Sequence, residues 1–406
     1  MGPLKGIKVL DLSRILAGPW ATQVLADFGA EVWKIERPNT GDDTRTWGPP
    51  FVHNSQDENT SDAAYYLAAN RGKHSITVDI TTAAGQQLIH DLARKADIVV
   101  ENYKLDGLKK YGLDYQSMKA INPSIIYCSI TGFGQTGPDA KRAGYDAMIQ
   151  GMGGLMSLTG VQEGQPGAGP QKVGVAVVDL MTGMYAVSAI LAALYHKTQT
   201  EEGQHIDLAL LDTQVASLAN QGMNYLIGGQ VPQAQGTAHP NIVPYQAFAA
   251  QDGHIMLAVG NDSQFGRCVA VLGLADLATD PRFSSNQLRV QNRQHLIPKL
   301  QQALHKNTLD HWLAELNQQG VPCGPINTLD RVYQEPQIQH REMIFELEHR
   351  QAGKIKQVAN PVKFSATPLE YSKAPPILGE DTDAILSSQL DLTKQQLADL
   401  KQQQVI

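Results

Sequence analysis

The chain has 406 residues, 42% hydrophobic and 18% charged, a balance that suits a soluble globular protein of two or three domains with a large core. Its net charge of −7 and its pI of about 5.9 argue against a nucleic-acid partner. Cys128, Cys268 and Cys323 are widely spaced; they offer neither a disulfide framework nor a metal spacing, so no metal is expected and a reducing, cytoplasmic setting is.

The opening segment, MGPLKGIKVLDLS, leads directly into a strand, and no signal or transit segment is expected from it. IKVLDL (7–12) reads as a strand, AGPWATQVLADFG (17–29) as a helix ending at a glycine, and EVWKIE (31–36) as a second strand. SITVDI (75–80), the helix AAGQQLIHDLARKA (83–96) and the strand DIVVEN (97–102) repeat the theme, and SIIYCSITGFG (124–134) adds another strand. This alternation predicts an α/β fold with a parallel, doubly wound sheet, in which ligands bind at the carboxyl ends of the strands. Those ends carry Ser13-Arg14, Glu36-Arg37, Glu101-Asn102 and Thr131-Gly132.

Between Lys172 and Lys197 the only charged residue is Asp179, within VGVAVVDLMTGMYAVSAILAALY. GVAVV reads as a buried strand or an extended lead-in and the run after Asp179 as a helix. A carboxylate in such surroundings needs a reason. It is either a cap at the helix N-terminus, where the dipole favours its anion, or a reactive group. The segment is long enough for a membrane span, but the central Asp with Thr182, Gly183 and Ser188 argues for a core helix instead. From about Gly203 the texture changes, and 206–330 reads as a smaller α+β domain. Residues 1–205 and 331–406 are expected to form the large domain, with the chain's end returning to its beginning.

The first βαβ unit invites a dinucleotide reading, with Glu36 ending its second strand. But the turn SRILAGP lacks the G-x-G-x-x-G fingerprint that lets a backbone approach a pyrophosphate closely. Arg14, Arg37, Arg45, Arg71, Lys73, His74, Lys104, Lys109 and Lys110 gather where the sheet would open. Singly they are ordinary surface charges; together they suit a polyanionic ligand such as a phosphorylated nucleotide. His239, in GTAHPNIVPY, has no metal partner at suitable spacing. Gly260 and Asn261, in AVGNDSQF, suit either a substrate-binding loop or a simple turn before a helix.

Taken in order, KGIKVLDLSRILAGPWATQVLADFGAEVWKIERP, NRGKHSITVDI, ENY, SITGFGQTGP, AGYDAMIQGMGGLMSLTG, GVAVVDLMTGMYA, GQHIDLALLD and PPILGEDTDAIL resemble the family III CoA-transferases over nearly the whole chain. GDDTRTWGPPFV, NYLIGG, GTAHPNIVPYQAF and GVPCGPINT resemble the branch of that family that moves CoA from succinyl-CoA to glutarate or a close dicarboxylate. The resemblance implies a Rossmann-like large domain built from both chain ends, a smaller domain, and a homodimer of interlocked rings. It implies no permanent cofactor, with coenzyme A and its thioesters as substrates, and no membrane partner. Asp179 would be the nucleophile, already ionised at neutral pH and carrying an aspartyl-CoA thioester. CoA would be held by Arg14, Ile15, Leu16, Arg37, Lys73, His74, Asn102, Tyr103, Lys110 and the turn Thr131, Gly132, Phe133, Gly134. Arg45, Trp47 and His239 are expected to hold the acceptor's distal carboxylate, with Tyr145, Gly260 and Asn261 also lining the substrate site. Backbone N–H groups of the 260 loop or the 131–134 turn would face the oxyanion. Two alternatives stand beside this. One is an α-methylacyl-CoA racemase-like isomerase, which has a His where this chain has Tyr145; the other is a CoA-binding protein without catalysis.

Overall fold

A computed structural model describes residues 2–54 and 56–406. Six short apolar segments become one parallel sheet: β1 (Lys8–Asp11), β2 (Glu31–Glu36), β3 (Lys73–Thr77), β4 (Ile98–Glu101), β5 (Ile126–Thr131) and β6 (His205–Ala209), in the order β3-β2-β1-β4-β5-β6. Period-two alternation sends neighbouring residues to opposite faces. Val9, Val32, Ile98 and Ile126 meet α1 (Ala17–Asp27) on one face. Leu10, Trp33, Val99 and Tyr127 meet α2 (Ala83–Ala93) on the other. Both faces are covered, as a parallel sheet requires.

After the short α3 (Asp146–Met152), Asp179 lies in α4 (Val177–Thr200). This helix is long and apolar enough to cross a membrane by length and composition, yet Val178, Ala186, Val187, Ile190 and Ala193 join the core of the Val9 face. Gly183 permits the crossing with α1, since a Cβ there would stand 2.8 Å from the Ala17 carbonyl oxygen. Of the two readings of GVAVV the strand is not formed: Gly174–Ala176 lead in without strand pairing, and Val177 and Val178 already belong to the helix, whose N-cap is Ala176. The helix satisfies the backbone groups that an isolated strand there would leave unpaired.

The chain divides into two units. The first holds the residues up to Leu155, Val173–Gly222 and Gln337–Ile406; the second holds Met156–Lys172 and Met223–Pro336. The boundary expected at 205/206 moves because β6 pairs with β5, at Tyr127↔His205 through Thr131↔Ala209, and closes the large sheet rather than opening a small one. α5 (Leu210–Ser217) follows it in the first unit, and α6 (Ala219–Gly228) runs across the boundary. The second unit packs an antiparallel sheet, β7 (Tyr245–Ala249), β8 (His254–Ala258) and β9 (Cys323–Pro325), under α7 (Asp262–Val271), α8 (Arg293–Leu304) and α9 (Leu309–Gln318). Phe248, Leu257, Phe265, Leu300 and Trp312 form its core. The chain then returns to the first unit, where α10 (Thr382–Leu390) and α11 (Lys394–Gln402) bury Ile385, Leu386 and Leu397 against the Leu10 face.

Candidate active site

The strand order reverses between β1 and β4, and a crevice at that switch point is where such sheets bind ligands. A cavity of about 400 Å³ occupies it. Its wall brings together Arg14, Ile15, Leu16, Asn102, Tyr103, Lys110, Thr131, Gly132, Tyr145 and Asp179, all singled out in the sequence although they follow β1 and β4, end or follow β5, precede α3 or lie in α4. Gly132 is a glycine for a local reason, because a Cβ there would meet the Gly144 Cα at 2.5 Å. Gly134 donates its N–H to the Thr131 hydroxyl, which closes the turn after β5.

Asp179 is the third residue of α4 and does not cap it. Asp146, at the start of α3, does so from outside: one carboxylate oxygen accepts from the Val178 N–H at 2.8 Å and the Asp179 N–H at 3.2 Å, and the other accepts from Gln150 at 2.6 Å. This leaves the Asp179 carboxyl free to face the cavity, and among the described residues none hydrogen-bonds to it. Burial first, then the neighbouring Asp146 charge, pushes it up to about 7. The expectation of a carboxylate already fully ionised at neutral pH is corrected accordingly: desolvation and a like charge outweigh the helix dipole here. Tyr65 belongs to the same neighbourhood, its phenol raised by burial and by the Asp179 charge. Trp47 does not line the cavity; its indole packs edge-on against the Tyr65 ring at 5.3 Å.

Other expected ligand contacts lie elsewhere. Arg45 is 2% exposed and is held at both ends of its fork. Glu36 takes it bidentately at 2.8 and 2.7 Å, while Asp62, the Tyr66 hydroxyl and the Pro376 carbonyl accept further bonds from its two arms. Enclosed in this way and absent from the cavity wall, Arg45 has a structural role in place of the distal-carboxylate role expected of it. Lys73 is fully buried, donating to Asp11, the Pro19 carbonyl and Asn70; it does not reach the cavity. His74 lies near the amino end of β3, between Asp381 and Lys373. It faces a different cavity, of about 290 Å³, lined also by Gly29, Ala30 and Gly72 ahead of β2 and β3. Arg37 is exposed just after β2 and lines a neighbouring hollow of about 130 Å³ that shares Arg14, Tyr103 and Tyr111 with the main cavity. Phe133 and Gly134 are not among the lining residues; Phe133 lies under the Arg142 guanidinium at 4.9 Å.

His239, Gly260 and Asn261 belong to the second unit. The His239 ring accepts from the Asn241 N–H at 3.0 Å and packs on Tyr245. The Gly260 N–H is taken by the Gln264 side chain at 2.8 Å, so it is not the free oxyanion donor expected of that loop. Asn261 caps α7 by accepting from the Gln264 N–H, which is the simple-turn alternative. Sequence reasoning missed Asp146, Tyr65 and Arg142. Asp146 adjoins the singled-out Tyr145, but nothing local reveals that it reaches a helix that begins 31 residues later.

Residues 4–382 match the family described as CoA-transferase family III. The succinate–glutarate CoA-transferase of Agrobacterium fabrum is 51% identical over 390 residues, covering 95% of each chain. The human succinyl-CoA:glutarate CoA-transferase is 45% identical, covering 96% of this chain and 86% of that one. A solved CAIB/BAIF family protein from Brucella suis superposes with a TM-score of 0.83 at 50% identity, covering 96% of this chain and 99% of its own. With its parallel sheet, its switch-point cavity and a family match over nearly its full length, the chain belongs to the family III CoA-transferases.

Proposed function

We propose that the protein moves CoA from succinyl-CoA to glutarate, or a close dicarboxylate, by covalent catalysis at Asp179. The observation that carries this reading is a carboxyl free of hydrogen bonds in the wall of the switch-point cavity, with the cap of its helix supplied by another residue. The names of the relatives above support the substrate pair.

The Asp179 carboxylate attacks the succinyl thioester carbonyl, giving a mixed anhydride and releasing CoA thiolate. The thiolate attacks the aspartyl carbonyl, forming an aspartyl-CoA thioester and freeing succinate. Glutarate attacks that thioester and the steps run in reverse, so each intermediate keeps the acyl group activated. The acyl-pantetheine end belongs in the main cavity beside Asn102, Tyr103 and Lys110, and the nucleotide end toward Arg37 in the neighbouring hollow. With Arg45 enclosed, Arg14 and Arg142 are the guanidiniums in the same wall as Tyr145 and Asp179, and Arg142 is the nearer of the two in sequence to Tyr145. One arm of Arg142 reaches Asp139 at 2.9 Å and the other only the Met152 sulfur at 3.8 Å, a weak acceptor that a substrate's distal carboxylate would replace. Arg142→Ala should cut the preference for dicarboxylate over monocarboxylate acceptors about tenfold. Equal loss with both acceptor types, in steady-state assays, removes Arg142 from this role.

The decisive experiment incubates the protein with succinyl-CoA, traps the adduct with hydroxylamine or borohydride, and maps it by mass spectrometry. The expected adduct is on Asp179 and is discharged by glutarate but not by formate or oxalate. Exchange of an α-proton in a methyl-branched acyl-CoA, with no adduct, would point to the isomerase instead.

A homodimer belongs to the same proposal. Apolar side chains stand exposed on the outward face of α4, at Met181, Met184, Tyr185 and Tyr195, and on α6, at Leu226 and Ile227. Rows of exposed apolar side chains such as that on α4 are characteristic of surfaces that a partner covers. Light scattering should return about twice the 44.1 kDa chain mass, and a concentration-independent monomer would contradict it. Cys128, Cys268 and Cys323 are all unpaired, which supports a cytoplasmic setting.

A further inference from the structure

Ser13, Arg14 and Ile15 form the turn that leaves β1 and becomes part of the cavity wall. Ile15 has φ of 70°, a left-handed conformation that is a genuine outlier for a β-branched residue and costs about 1–3 kcal/mol unless its surroundings enforce it. Three side chains from outside the turn do so. Lys34, on β2, donates to the Ser13 carbonyl at 3.0 Å. Asn102, after β4, accepts the Arg14 N–H at 2.8 Å and donates to the Arg14 carbonyl at 2.6 Å. Asp42 accepts the Ile15 N–H at 3.2 and 3.3 Å.

Asp42 is itself enclosed, at 1% exposure. Lys34 donates to it at 2.9 Å, and the Thr44 N–H and hydroxyl donate at 3.0 and 2.8 Å. Its own N–H goes to Glu36 at 2.9 Å, which ties it to the Arg45 network. Burial works to raise the Asp42 carboxyl, but Lys34 and the Thr44 bonds prevail and hold it at about 2. It is therefore a fixed negative acceptor, pinned from behind and aimed at one strained backbone amide.

We infer that Asp42, backed by Lys34, is a positioning residue for acyl-CoA binding: by accepting the Ile15 N–H it holds the left-handed turn that keeps the Arg14–Leu16 wall of the cavity in place. The inference rests on the reading that this cavity holds the thioester substrate. Asp42 also borders the hollow beside Arg37, but the inference assigns its buried carboxylate the Ile15 N–H rather than the substrate, and no part in the covalent steps. Its signature is an effect on CoA affinity that depends on the backbone preference of residue 15. Glycine adopts positive φ without the Cβ penalty, so a glycine at that position needs the clamp less.

The test is a mutant cycle on the full-length protein, read by calorimetric CoA binding and by KM for succinyl-CoA and for glutarate. Asp42→Asn replaces an acceptor oxygen by a donor and should raise the CoA Kd and the succinyl-CoA KM about tenfold, with kcat changed less than about threefold. Adding Ile15→Gly should recover at least about threefold of that loss. Losses that simply accumulate, or a fall in kcat at unchanged KM, would overturn the inference. Should Asp42→Asn fail to fold because Lys34 is left buried without its partner, Lys34→Met with Asp42→Ala removes the ion pair as a unit and enters the same cycle. Hydrogen exchange on the wild-type protein gives a reading without any variant: the Ile15 amide should be strongly protected, and exchange at the rate of a free peptide would overturn the clamp. If the wild-type protein binds no CoA, the functional reading falls instead, and the exchange measurement still decides the turn.

Discussion

Asp179→Asn should abolish CoA transfer, lowering kcat by at least about 10³-fold, because an amide is a poor nucleophile and cannot carry the aspartyl thioester. The same variant should give no trapped adduct with succinyl-CoA, and retained turnover would end the covalent proposal. Loss of folding is not an escape. The folded-state carboxyl is raised from 3.8 to about 7, so its contribution to stability is fully present below the unfolded value and is lost as pH rises through the folded one. At pH 8 the ionised Asp179 is thus a burden, and Asp179→Asn should melt at the same temperature as the wild type or higher. The wild-type rate follows the opposite course. The nucleophile is the anion, so kcat/KM should rise with pH and level off above about 7, as a single ionisation of the free enzyme. Asp146→Asn removes the like charge that is the second cause of the shift, while its amide oxygen still accepts from Val178 and Asp179. The acid limb should therefore move downward by about half a pH unit to one unit. A limb that stays in place in Asp146→Asn would assign the shift to burial alone.

The second large effect is on stability. Arg45→Ala should destabilise the fold by about 3–5 kcal/mol, because it strands buried Glu36 and Asp62 without their shared partner. Denaturant titration should show the loss as a lower midpoint at unchanged slope. Arg45→Lys should recover little of it, since an ammonium cannot span Glu36, Asp62, Tyr66 and the Pro376 carbonyl together. A stable Arg45→Ala protein with a raised glutarate KM alone would restore the substrate role that the structure withdraws from this arginine.

Local sequence was enough for elements whose making is local. Short apolar runs in KVLD, EVWKIE and IYCSIT found strands of the sheet, because a strand packed on both faces carries hydrophobic side chains on both. The lone charge in a 23-residue apolar run, Val173 to Tyr195, marked Asp179, since desolvating a carboxylate without cause is too costly to be accidental. The residues after β1, β4 and β5 were legible for the same kind of reason: strand ends at a parallel sheet's carboxyl edge must face one crevice.

What tertiary structure alone decided is which charge meets which. Arg14 and Arg45 look alike in sequence. One lines the cavity, and the other is enclosed by an acid 9 residues before it, an acid 17 after it and a carbonyl 331 residues away. The helix of Asp179 is capped not by Asp179, as its position in the run suggested, but by Asp146. That exchange leaves the reactive carboxyl free of partners and raises it toward neutrality. A propensity is a property of a segment, whereas an ion pair, a borrowed cap or a desolvated carboxyl depends on distances of about 3 Å between residues that only the folded chain brings together.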